Sequence, residues 1–229
     1  MTETPATAVP GPRGRGVFIA FEGGDGSGKS TQARLLVQRL RAEGHEVVQT
    51  REPGGTEIGE RLRALVLDPQ YAPVDPVTEA LLFAAARSAH VRQLVRPALA
   101  AGSVVVTDRY VDSSVAYQGA GRRLGTGTVA ELNEWATDRL RPDLTVLLDV
   151  DTATAAARRT ARDQSAGAAG PDRMEAEPAA FHECIRGAFT ARAQADPGRY
   201  LVLDAGRPAE ELASAVLDRV TGLFEEDRS

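Results

Sequence analysis

The chain has 229 residues, 42% apolar and 26% charged, the balance of an ordinary globular protein long enough to bury a full core. Its net charge of −5 argues against a nucleic-acid partner, and no apolar run approaches the roughly 18–20 residues needed to span a membrane. Cys184 is the only cysteine, which excludes an internal disulfide and fits a reducing cytoplasm.

Residues 1–16 are rich in Pro, Gly, Ala and Thr without an apolar segment, so a disordered extension is expected rather than a signal peptide. Residues 17–229 are expected to form one domain. It opens on a β-branched and aromatic strand at 17–21. A Gly-rich turn at 23–28 leads into a helix over 29–42, with Leu36, Val37 and Leu40 at helical spacing and Gly44 as its stop. Residues 45–50 read as a strand, 51–56 as a turn and 57–67 as a short helix. A long helix is expected over 75–101, with Pro76 in its first turn and Gly102 just past its end. Strands follow at 104–107, 143–150 and 200–203, and helices at 129–140, 153–162, 177–195 and 209–224. The Ala/Gly-rich stretch at 164–171 reads as a mobile loop. This alternation predicts an α/β three-layer sandwich, a central parallel five-stranded sheet with helices on both faces.

Gly23-Gly24-Asp25-Gly26-Ser27-Gly28-Lys29-Ser30 matches G-x-x-x-x-G-K-[ST] in full, between a strand and a helix, where a phosphate-binding P-loop belongs. The glycines let backbone N–H groups face phosphate oxygens, and the helix adds its positive N-terminal end. Lys29 supplies a charge for the β- and γ-phosphates, Ser30 a hydroxyl for Mg²⁺, and Thr31 completes the ATP-binding set. No N-K-x-D motif marks a GTPase. Asp108, after the strand at 104–107, is a candidate metal ligand, directly or through water. Arg109 beside it points to phosphate rather than to water activation.

The P-loop is joined by Phe21-Glu22-Gly23, Arg51-Glu52-Pro53-Gly54-Gly55-Thr56, Leu81-Leu82-Phe83-Ala84-Ala85, Asp108-Arg109-Tyr110, Ser113-Ser114-Val115-Ala116-Tyr117-Gln118-Gly119, Pro142-Asp143-Leu144-Thr145 and Asp172-Arg173-Met174-Glu175. In this order, over nearly the whole chain, the set resembles the bacterial thymidylate kinase family. The resemblance implies transfer of the γ-phosphoryl of ATP, with Mg²⁺, to dTMP, and usually a homodimer to which the long helix would contribute. It implies that Arg51, with Pro53 in the turn behind it, and Arg109 hold the acceptor phosphate. Arginine forks suit phosphate oxygens. Phe83 would stack on the thymine and Arg87, one turn on, would read its edge. Ser114 and Gln118 would lie by the base, and Tyr117 against the 2′ position of the sugar. Taken alone, Phe83 fits core packing equally well, because Leu81 and Leu82 are apolar. The chain departs from the family at Ala86, where an Asp commonly precedes the arginine.

Arg158, Arg159 and Arg162 precede the Ala/Gly stretch. A solvated basic face is the ordinary meaning of such a cluster. Some members of the family carry the transition-state arginine in the P-loop and others in a lid. Gly26 occupies the P-loop position here, so a lid over about 153–172 must supply the charge, and Arg158 and Arg162 share one helix face. No general base is needed, because the acceptor is a phosphate monoester with a second pKa of about 6. Asp25, an acid inside an anion-binding loop, would meet Mg²⁺ or the 3′-hydroxyl of the acceptor. The rival readings are a kinase of this fold for another deoxynucleotide or a nucleoside, and a P-loop ATPase switch without an acceptor.

Overall fold

The computed structural model describes residues 16–166 and 172–226. The predicted N-terminal extension, apart from Gly16, and residues 167–171 of the predicted loop lie outside them.

Strand β1 (Phe18–Glu22) is fully buried at the centre of the sheet. Helix α1 (Lys29–Ala42) returns over it, followed by β2 (Val47–Arg51), α2 (Glu57–Leu67) and α3 (Pro76–His90). A π-helical turn, Val91–Val95, joins α3 to α4 (Arg96–Ala100). Then come β3 (Val104–Asp108), α5 (Val111–Ser114), a second π-helical segment (Val115–Gly121) and α6 (Thr126–Thr137). The chain closes with β4 (Leu144–Asp149), α7 (Thr152–Ala166), α8 (Ala179–Ala195), β5 (Tyr200–Asp204) and α9 (Ala209–Glu226). All strand pairs are parallel, in the order β2-β3-β1-β4-β5. The five-stranded sheet is the one expected.

Alternation along β1 builds both helical layers. Ile19 and Phe21 face α1 and α9, packing with Leu36, Leu40, Val216 and Val220. Phe18 and Ala20 face the other way, onto Val91, Val95 and Tyr110. A third cluster joins Leu147 of β4 and Tyr117 to Ile185 and Phe189 of α8. Parallel strands need both faces covered, and apolar runs such as Val104-Val105-Val106 satisfy both. No described helix is long and apolar enough to cross a membrane.

The long helix over 75–101 forms, but interrupted. Asp75 caps it, accepting from the N–H of Val77 and Thr78 at 3.0 Å each. The wide π turn precedes Pro97, whose ring lacks an N–H and would crowd the carbonyl one turn back in an unbroken α-helix. Helix α6 starts three residues before the expected 129, and ends at Thr137 because Asp138 and Arg139 take left-handed φ values of 51° and 55°. The expected strand at 45–50 runs Val47–Arg51 instead, which carries Arg51 to its C-terminal end. Residues 111–121 were expected to carry motif but no element, and they are helical. Gly119 and Gly121 hide that in the sequence. Packing against α6 and α8 supplies it: a Cβ on Gly121 would lie 2.6 Å from the Phe181 ring.

Candidate active site

The C-terminal ends of β1, β2 and β3 open on one cavity of about 450 Å³. This is where ligands bind in open parallel sheets. At one end lies the P-loop, with Asp25, Gly26, Gly28, Lys29, Ser30 and Thr31 on its wall. Gly23 and Gly24 line a small pocket behind the loop, and Ser27 is buried. Gly23, Gly26 and Gly28 have φ of 134°, 88° and 97°, the left-handed range that this wrapping requires. Lys29 donates to Gly24 O at 2.8 Å. Burial and the Arg109 charge pull its pKa down, against Asp108, Asp25 and Glu22. Ser30 Oγ donates to Asp108 Oδ2 at 2.5 Å, so two hard oxygen donors meet beside the loop.

Arg109 stands between the two ends of the cavity. Its backbone is held at φ 72° at the exit of β3. One guanidinium nitrogen donates to Gly23 O at 3.2 Å and Ser113 Oγ at 2.9 Å. The other reaches Asp25 Oδ1 at 2.5 Å and Tyr117 Oη at 3.2 Å. Asp25 also accepts from Tyr117 Oη at 2.7 Å. Burial pushes the Asp25 carboxyl up, but Arg109, Lys29 and the Tyr117 hydroxyl outweigh it and hold it well below the usual carboxylate range. The acid inside the anion-binding loop is thus accounted for by Arg109, a partner the sequence did not indicate.

Beneath Arg109 lies Glu22, fully buried. It accepts from the N–H of Tyr110 and Ser113 at 2.8 and 3.2 Å and from Ser113 Oγ at 2.6 Å. Burial, then the nearby Asp112, pushes its pKa up to about 7. Glu22 therefore fastens the β3–α5 turn that aims Arg109.

At the other end of the cavity Phe83, Arg87, Ser114, Tyr117 and Gln118 come together. Phe83 is only half-buried and belongs to no core cluster, so it is free to present its ring face. Arg87 is 2% exposed. Its Nε meets Glu52 Oε2 at 2.6 Å, Nη1 meets Ser114 Oγ at 2.8 Å and Asn133 Oδ1, and Nη2 meets Tyr110 O at 3.0 Å. Glu52 in turn holds buried His90, which also meets Thr50 Oγ1 at 2.8 Å. Position 86 is Ala, and the carboxylate that braces Arg87 is Glu52. Arg51 reaches the cavity from the end of β2, its Nη2 paired with both Glu60 oxygens at 2.9 and 3.0 Å. Pro53 lines the cavity and its carbonyl accepts from Arg63 at 3.0 Å.

Of the three α7 arginines, Arg158 lines the cavity and donates to Ala205 O at 2.9 Å. Arg159 lies on the back of the P-loop instead, donating to Asp25 O at 2.9 Å. The Arg162 side chain lies outside the described part. A Cβ on Gly26 would stand 2.4 Å from Ala155 O. Helix α7 therefore packs directly on that glycine, and a P-loop arginine there would need α7 displaced.

A thymidylate kinase family profile matches residues 21–216. The chain belongs to the thymidylate kinase family. Relatives carrying that name include one from Clavibacter michiganensis subsp. michiganensis, 54% identical over 91% of this chain and 96% of its own length. Another, from Geobacter sulfurreducens, is 46% identical over 89% of this chain and 95% of its own. The crystal structure of thymidylate kinase from Ehrlichia chaffeensis superposes with a TM-score of 0.73 at 30% identity, covering 90% of this chain and 99% of that one.

Sequence reasoning about this thymidylate kinase family member missed several cavity and support residues. Glu22, Glu52, Asp172 and Glu175 stood inside quoted motifs without a role. Arg63, also on the cavity wall, stood in none. Burial and the Arg51 charge lower the Arg63 pKa, and burial with Glu175 nearby raises that of Asp172. The signal for the acidic residues was their motif. Arg63 gave no signal beyond its position on α2.

Proposed function

We propose that the protein transfers the γ-phosphoryl group of ATP to dTMP, forming dTDP. One observation carries this reading: a single cavity has a P-loop at one end, an aromatic and polar base site at the other, and Arg109 between them. A P-loop ATPase without an acceptor has no use for the second half.

ATP phosphates would lie on the P-loop with Lys29 on their oxygens. The dTMP phosphate would lie against Arg109 and Arg51, and its base between Phe83 and the polar pair of Arg87 and Gln118. Tyr117, tied to Asp25, would crowd a 2′-hydroxyl. The acceptor oxygen is already anionic near pH 7, so the protein's work is to hold two repelling anions in line and exclude water. Ser30 and Asp108 fit Mg²⁺, which favours few protein oxygens and several phosphate or water ligands. Bound there, the ion would supply positive charge shared between phosphate oxygens. The lid would span about 153–172 of a single kinase domain, and the cytoplasm suits its substrates.

Incubation with Mg-ATP and a panel of nucleosides and nucleoside monophosphates tests the reading. ADP release that depends on dTMP is expected. Equal release without an acceptor would point to a switch ATPase, and release with another acceptor only would point to the nearest rival.

The lid arginines supply the next expectation. Arg158→Ala or Arg162→Ala should lower kcat about 10²-fold with little change in KM, the scale for one donor on developing charge. Arg159→Ala should act on both, because it supports the P-loop from behind. Single-turnover and steady-state kinetics separate these cases.

The protein is further proposed to be a homodimer. Val77 and Leu81, four residues apart on α3, are 54% and 52% exposed, and Ile58 and Leu65 on adjoining α2 are 46% and 44% exposed. An apolar face of this kind favours burial against a second copy. Light scattering should report a dimer, and Leu81→Glu a monomer. A monomeric parent at micromolar concentration would end this proposal.

A further inference from the structure

Glu79 lies in the first turn of α3, fully buried and outside the cavity wall. Three donors converge on it. Gln118 Nε2 meets its Oε1 at 2.9 Å, Arg122 Nε meets the same oxygen at 3.1 Å, and Arg173 Nη1 meets Oε2 at 2.6 Å. Arginine can only donate, so both oxygens of Glu79 act as acceptors. That decides which way round the Gln118 amide stands. The reversed amide would set oxygen against oxygen at 2.9 Å, so the nitrogen faces Glu79.

Gln118 is itself buried, and it lines the cavity beside Phe83, Arg87 and Ser114. No described residue donates to its Oε1. The carbonyl oxygen is therefore the end left for a ligand. Arg87 is fixed with the opposite polarity: four of its N–H groups are engaged, and the remaining one, on Nη2, is a donor. A fixed donor beside a fixed acceptor complements the O4 and N3–H of thymine or uracil. Cytosine carries an amino group and a bare nitrogen at those places, the reverse at both.

We propose that Glu79, which touches neither substrate, is a specificity-determining positioning residue: by holding the Gln118 amide nitrogen it keeps an acceptor facing the base, and so selects pyrimidines bearing N3–H over cytosine. The proposal rests on the dTMP reading above. A free glutamine amide turns over easily and would meet a bare N3 as readily as N3–H, leaving the Arg87 donor alone to tell thymine from cytosine. With Glu79 in place the turn strands a buried acceptor against another acceptor.

The test is the ratio of kcat/KM for dTMP to that for dCMP, measured with Mg-ATP in the parent, Glu79→Gln, Gln118→Ala and the double variant. A ratio is insensitive to the fraction of folded enzyme, so a merely structural role would not move it. Glu79→Gln offers its own donor and frees Gln118 to turn, and the ratio should fall about 10-fold to 100-fold. Gln118→Ala should reduce it comparably, and the double variant no further than Gln118→Ala. Should Glu79→Gln fail to fold, Glu79→Asp keeps the charge between Arg122 and Arg173 but shortens the side chain by one methylene and so loosens its hold on the Gln118 amide, and it should lower the ratio in the same direction. A parental ratio in the folded Glu79 variant, or additive losses in the double variant, would overturn the proposal. A parent without dTMP-dependent turnover would instead sink the functional reading, before any variant is compared.

Discussion

Arg109→Ala is expected to lower kcat/KM for dTMP by about 10³ to 10⁵, the scale for an arginine on transferring phosphate. The residue touches both halves of the cavity. It donates to Gly23 O and to Asp25 of the P-loop, and its chain neighbours Tyr110 and Ser113 are pinned by Glu22. Its own backbone sits at φ 72°, off the favoured regions for a side chain of this size, and Glu22 and the N–H bond to Phe21 O hold it there. The loss has two parts. The acceptor phosphate loses a guanidinium charge, and Asp25 loses its largest counter-charge and keeps only Lys29 and the Tyr117 hydroxyl beside incoming phosphates. Arg109→Lys should recover only part of the rate, because an ammonium replaces the charge but not the fork. Steady-state kinetics at saturating ATP with varied dTMP decides the matter. A variant within tenfold of the parent would rule Arg109 out as the bridge between donor and acceptor.

Arg87→Ala is expected to cost both stability and dTMP binding. The substitution leaves Glu52 buried without its main counter-charge and removes the donor from Ser114 Oγ, Asn133 Oδ1 and Tyr110 O. Breaking a buried pair from one side costs about 3–5 kcal/mol. For a domain of this size that lowers Tm by on the order of 10 °C. The same change deletes the one N–H left for the base, so KM for dTMP should rise while KM for ATP holds. Thermal melting with and without dTMP reads both effects. An unchanged Tm would mean that the Glu52–Arg87–His90 cluster contributes little, and an unchanged KM that Arg87 does not meet the base.

These two residues differ in how far they could be read in advance. Arg109 follows an apolar strand and precedes a tyrosine, and its position at a strand end already suggested phosphate. The resemblance makes Arg87 a partner of the base, but Ala86 beside it offers no carboxylate. The support is Glu52, 35 residues away, which only the packing of α3 against the end of β2 brings near. Tyr117 and Gln118 line one cavity although no element is expected for their segment from sequence. Its π-helical form depends on contacts with α6 and α8, and glycine-rich sequence does not favour a helix locally. Among the arginines of α7, spacing alone paired Arg158 with Arg162. The fold separates Arg158, on the cavity, from Arg159, on the back of the P-loop.

By itself the sequence determined the parallel α/β architecture and the phosphate loop. Both are written in contiguous residues: buried runs of β-branched side chains, helical spacing, and glycines between strand and helix. The tertiary structure alone decided the partners that tune the site. Asp25 meets Arg109 across 84 residues and Gln118 meets Glu79 across 39. The first arises where parallel strands end at one edge of the sheet, the second where α3 packs against the π-helical segment Val115–Gly121. Their energies depend on burial and distance, which no local pattern encodes.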